Sequence, residues 1–112
     1  MKIIGIGSED FEEGGKIAKD FGGVYIGNKL ALLEDLMKNE DEVIIIDSLR
    51  GEGIIIVTVE NIYPGIFSYN ELENYLLNAK IKGINPRITI VAFSKNYEGL
   101  VRCFLNCKLS KK

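Results

Sequence analysis

The stretch from Asp41 to Glu60, DEVIIIDSLRGEGIIIVTVE, constrains the fold more than any other part of the chain. Two β-branched apolar runs stand on either side of a five-residue break, LRGEG. Short runs rich in Ile and Val, bounded by charge and glycine, read as buried strands. A parallel crossover needs about a dozen residues or more, so this gap predicts that Val43 to Ile46 and Ile54 to Val59 pair as an antiparallel hairpin. The first run closes on Asp47. That puts a carboxylate where a strand leaves the core, on the sheet edge at which open α/β sheets bind ligands.

The flanking sequence alternates strands and helices around that centre. Lys2 to Ile6 reads as a first strand and GSEDFEEGG as a turn rich in glycine and acid. Phe11 to Phe21 reads as a helix with Ile17, Ala18 and Phe21 at helical spacing, closed by Gly22 and Gly23. Val24 to Ile26 is a short second strand. Lys29 to Lys38 is a second helix with Leu30, Leu33, Leu36 and Met37 as its apolar stripe. After the hairpin, Ser68 is the expected N-cap of a third helix, with Glu71 as its capping-box partner and Leu72, Tyr75, Leu76 and Ala79 facing inward. Arg87 to Phe93, RITIVAF, is a further buried strand, and Tyr97 to Leu109 a closing helix. The order β-α-β-α-β-β-α-β-α predicts an α/β three-layer sandwich around a mixed, mostly parallel five-stranded sheet with one antiparallel strand.

At 112 residues with 46% hydrophobic content, the chain reads as one domain, residues 1–112, with enough apolar mass for one core. A formal net charge of -2 argues against a general grip on nucleic acid, which needs a basic face. No apolar run approaches the ~20 residues of a membrane span, and the opening MKIIGIGSEDF breaks into glycine and acid too early for a signal-peptide core. A cytoplasmic protein with neither nucleic-acid nor membrane partners is the expectation. Cys103 and Cys107, four apart on the last helix, are too few for a disulfide framework or a four-ligand zinc site; they are expected to pack as small buried hydrophobes, with a redox role as the alternative.

Candidate chemistry sits at the strand ends. Gly5-Ile6-Gly7 resembles the start of a dinucleotide-binding loop, but Glu9, Asp10, Glu12 and Glu13 follow where a pyrophosphate would lie, and carboxylates repel it. Two readings fit these acids: they hold a cation, or they complement the dipole of the helix they precede. If the first strand neighbours Val43 to Ile46, Asp47 faces the acidic loop across a switch point. An ionised Asp47 leaving the core needs a partner: a cation, a backbone N–H or the Ser48 hydroxyl. Alternatively it only turns the chain.

The succession GIGSEDFEEGG, VIIIDSL, FSYNEL and PRITIVAF resembles the order of motifs in the hydrogenase maturation endopeptidases, over about residues 2 to 95. The resemblance implies a protein that trims the C-terminal tail of a nickel-hydrogenase large-subunit precursor once nickel has been inserted. It implies a site built from a first-loop carboxylate, the Asp ending the third strand, and a His opening the later helix. Carried over by position, Glu13, with Glu12 beside it, stands for the loop carboxylate and Asp47 for the strand Asp. Gly7-Ser8 replaces the family's Gly-Asn, and Gly27-Asn28 is what remains of its Asp-Gly-Gly-Thr stretch, so these four are the implied substrate-binding positions. Ser68 or Tyr69 occupies the place of the His, and the chain contains no His at all.

Nickel favours imidazole, and carboxylates with a hydroxyl form a harder, weaker site, so no tightly bound cofactor is expected; a divalent metal, the nickel of the precursor by resemblance, is the one candidate. No catalytic residue is identified, because the chain offers no His base and no Ser/His or Cys/His pair. Two functions stay open. One is a divergent, metal-dependent endopeptidase with reduced or lost activity that processes or docks the precursor. The other is a non-catalytic α/β module binding a protein partner or a small ligand.

Overall fold

A computed structural model of the chain describes residues 1–7, 12–49, 51–59 and 71–110, with the backbone alone at residues 12, 13, 59, 71 and 73. Among the described residues five strands, β1 (Lys2–Ile6), β2 (Val24–Gly27), β3 (Glu42–Ser48), β4 (Ile54–Val59) and β5 (Arg87–Phe93), form one sheet in the order β2-β1-β3-β5-β4. The helices of the described residues, α1 (Glu12–Asp20), α2 (Leu33–Met37), α3 (Glu71–Ile81) and α4 (Glu98–Ser110), cover its two faces. Short 3₁₀ turns at Leu30–Leu32 and Lys95–Tyr97 lead into α2 and α4. The α/β sandwich and its mixed, mostly parallel sheet agree with the expectation from sequence. The expected Ser68 cap of α3 lies outside the described residues.

Strand alternation decides which side chains meet which helices. On one face Ile4, Ile6, Val43, Ile45, Ile88 and Ile90 pack with Leu30, Leu33 and Met37 and with Leu76 and Ala79 of α3. On the other, Ile3, Ile44, Ile46, Val91 and Phe93 pack with Ile17 and Ala18 of α1 and with Val101 and Leu105 of α4. The central strands β1, β3 and β5 therefore bury both faces, which is why they read as near-continuous apolar runs. Among the described residues no helix is long and apolar enough to cross a membrane.

The pairing of the two central runs differs from the expected hairpin. β4 is antiparallel, but it pairs with β5, from Ile54 opposite Phe93 to Val59 opposite Ile88. β3 lies between β1 and β5, parallel to both. The geometry allows it: strands two places apart are about 9.6 Å from one another, and five residues reach about 16 Å. The break passes over the carboxyl end of β5 and is tied to it there. Leu49 N–H donates to the Phe93 carbonyl at 3.0 Å, and Ser94 N–H to the Gly53 carbonyl at 3.0 Å. Gly53 N–H in turn donates to Ser94 Oγ at 3.1 Å.

The cysteines also differ from expectation: Cys103 and Cys107 are free thiols on the exposed side of α4. At 100° per residue, the buried pair Val101 and Leu105 fixes the inward face of this helix, and Cys103 lies about 200° from Val101.

Candidate functional site

The chain winds from β1 to β2 on one side and then crosses to β3 on the other, so the carboxyl ends of β1 and β3 mark the point where the winding reverses. Lys2 to Gly5 run in register with Val43 to Ile46, which brings Gly7 level with the end of β3. Gly7 takes a φ of 131°, open to glycine and strained for other residues. A side chain here would also stand close to β3: a Cβ would lie 3.7 Å from Asp47 Oδ1 and 3.7 Å from Ser48 Oγ. Asp47 therefore shares a sheet edge with the start of the β1–α1 loop.

Asp47 is half-buried, and its carboxyl is held above the usual carboxylate range by burial. The Ser48 backbone N–H donates to Oδ1 at 2.7 Å and offsets part of that rise. Of the three partners open to Asp47 from sequence, the backbone amide is the one seen. That bond is short, and loss of hydration is the larger effect. A cation or a hydrogen-bond donor arriving at the carboxylate would stabilise its charged form.

The second glycine turn meets the first. Gly27, at the end of β2, accepts a hydrogen bond from Gly7 N–H at 3.0 Å through its carbonyl, and Asn28 follows it on the exposed surface. The Tyr25 hydroxyl donates to the Gly7 carbonyl at 3.0 Å. Both polar groups of the Gly7 backbone are thus taken up by β2, and the edge beside Asp47 is held in place from the side opposite β3. Tyr25 is a positioning residue that the sequence does not single out. Alternation along VYIG sets it toward α1, where its ring lies against Gly15: a Cβ on that glycine would meet the ring at 2.8 Å.

The structure thus brings Gly7, Gly27, Asp47 and Ser48 to one edge, with Asn28 next to Gly27. Glu12 and Glu13 are the first two residues of α1, and nothing is described of their side chains. Ser8, Ser68 and Tyr69 lie outside the described residues. Among the described residues no three His, Cys, Asp or Glu side chains converge as a metal-ligand set, and Asp47 alone does not constitute one.

In comparisons with known proteins, no family model matches the chain, and neither a curated protein nor a solved structure matches it.

Proposed function

We propose that this chain docks the C-terminal region of a metalloprotein precursor, of the nickel-hydrogenase large-subunit class, at the β1/β3 edge. The observation that carries this reading is the placement of Asp47 at the end of the third strand against Gly7. Two positions that the motif order of the maturation endopeptidases implies for one site, 40 residues apart in sequence (47 − 7), fall side by side. A half-buried carboxylate that burial makes harder to ionise, with one backbone partner among the described residues, favours a ligand that brings positive charge, whether a lysine or arginine side chain of the tail or the precursor's own metal. Docking is preferred to cleavage because the chain contains no His, and Asp47 and Ser48 form neither a Ser/His nor a Cys/His pair.

Processing is the second reading, and the raised pKa of Asp47 favours it: carboxyls shifted by burial in a crevice are frequent proton acceptors in enzymes. One experiment addresses both. The large-subunit precursor, loaded with nickel, is titrated by calorimetry into the parent chain and into Asp47→Asn, and the mixtures are then analysed by mass spectrometry. Docking predicts a saturable heat for the parent, weakened at least tenfold by Asp47→Asn, with the precursor mass unchanged. A shortened precursor would move the assignment to processing. No heat and no shortening would overturn both, leaving a module for a different protein or a small ligand.

A further inference from the structure

We propose that the outer edge of β4 is the surface through which two copies of this chain pair, antiparallel, about a two-fold axis perpendicular to the sheet. β4 spends one edge on β5, and among the described residues no strand bonds its other edge. Monomeric proteins blunt such an edge with lysine, proline, a bulge or a short strand. Ile54–Val59, IIIVTV, has no charge and no proline, and its six residues extend about 20 Å. The opposite edge of the sheet is protected by brevity, since β2 has four residues and ends in glycine.

The side chains on this edge are exposed on both faces of the sheet. Ile55 is 50% and Val57 42% exposed on the α3 face, and Ile56 is 42% exposed on the α4 face. The apolar surface continues onto α4. Val101 and Leu105 point at the sheet, and Arg102 turns to Asp20 of α1 at 2.9 Å. Helical geometry then sets Leu100, 57% exposed, and Phe104 on the side of α4 away from α1.

A second copy fits this edge by charge and by symmetry. A two-fold axis through Ile56 sets Ile56 against its own counterpart, Ile55 against Val57 and Ile54 against Thr58. No ionisable side chain falls between Ile54 and Thr58, so pairing over this span brings no like-charge penalty. An axis perpendicular to the sheet keeps each face continuous, so α4 meets α4 with Leu100 and Phe104 inside. An apolar centre with self-complementary pairing is the pattern of isologous interfaces. The product is a ten-stranded sheet with β4 at its centre.

The axis makes a charge-swap test possible. The full chain is measured by sedimentation equilibrium over the micromolar range, as the parent, as Ile56→Lys, as Ile56→Glu, and as an equal mixture of the two variants. The expected result is a dimer for the parent, a dissociation constant raised at least tenfold for each variant alone, and recovery of the dimer in the mixture. A parent that stays monomeric at every concentration overturns the proposal and assigns the edge to another partner or to the chain's own residues. A dimer unaffected by either variant places the interface elsewhere and also overturns it. Should the variants not fold, amide exchange of the parent decides: exchange at Ile54–Val59 that slows with concentration supports the pairing, and exchange independent of concentration overturns it.

Discussion

Asp47 and Gly7 face one another across the ends of two parallel strands, with the Asp47 Oδ1 atom 3.7 Å from where a Gly7 side chain would begin. The contact couples a backbone conformation that only glycine holds easily to a carboxylate that burial makes harder to ionise. Each half of that relationship gives a measurable consequence.

Consider the carboxylate first. Its pKa in the folded chain lies above its ordinary value of 3.8, so the native state holds this proton more readily than the unfolded state. The resulting stability is fully present below 3.8 and is lost as pH rises through the raised value. At neutral pH the charged Asp47 therefore costs stability. Asp47→Asn removes the charge and keeps an oxygen able to accept from Ser48 N–H. Urea unfolding should show the variant more stable than the parent at neutral pH, with the advantage fading on acidification toward 3.8 and below. A parent that is the more stable of the two at neutral pH would mean that the carboxylate is already paired with a cation.

The glycine is the other half. Gly7→Ala meets no hard clash, since its Cβ would make ordinary contacts at 3.7 Å, but a φ of 131° strains any L side chain. The expected loss is about 1–2 kcal/mol of unfolding free energy. Gly23→Ala offers the contrast: its Cβ would run into the Ile3 carbonyl oxygen, a backbone atom that cannot swing aside, where the chain enters β2. That variant should lose about 3 kcal/mol or more. Equal costs in thermal or urea unfolding would contradict this assignment of conformational strain to one glycine and steric contact to the other.

How much of the fold and site is legible in the sequence follows from which signals are local. Apolar runs ending in Asp47 and Phe93 announce strands that leave the core there, and the spacing of Leu33, Met37, Leu76 and Ala79 announces helices facing a sheet, because burial imposes both periods. Partner choice is different. IIIVTV is as apolar as VIII or ITIVAF, so composition alone does not distinguish an edge strand from a central one, and a five-residue break suits a neighbour or a strand two places away. The insertion of β5 between them depends on residues more than 30 positions further along, which no local pattern reports. Asp47 stands out as a candidate because a carboxylate at a strand end is chemically unusual. Tyr25 does not, because one tyrosine in a short strand reads as packing, and its role depends on where the Gly7 carbonyl comes to lie.

That role is open to a conservative test. Tyr25→Phe keeps the ring against Gly15 and deletes only the hydroxyl that donates to the Gly7 carbonyl at 3.0 Å. A neutral hydrogen bond of this kind contributes about 0.5–1.5 kcal/mol. The urea midpoint should fall accordingly with no change in slope. If the Gly7 edge is where the precursor docks, affinity should fall in parallel, because the carbonyl loses a fixed donor. A change in affinity with no change in stability would place the hydroxyl in direct contact with the ligand.

Ser94→Ala tests the crossing of the break over β5, the feature that most separates the observed sheet from a hairpin. Ser94 directly follows β5, and its hydroxyl accepts from Gly53 N–H at 3.1 Å. Its own amide holds the Gly53 carbonyl at 3.0 Å. Removing the hydroxyl leaves the amide bond in place but takes the acceptor from a part-buried N–H, a loss of about 1 kcal/mol. Were β3 and β4 immediate neighbours, Ser94 would lie away from the break, and its substitution would stay within about 0.5 kcal/mol of the parent. The two cases also differ in amide exchange. In the observed order, Ser94→Ala should speed exchange at Gly53 while leaving Ile44 to Ile46, at the centre of β3, as protected as before, because their bonds run to β1 and β5. An unchanged midpoint together with unchanged exchange at Gly53 would reject the crossing and restore the hairpin.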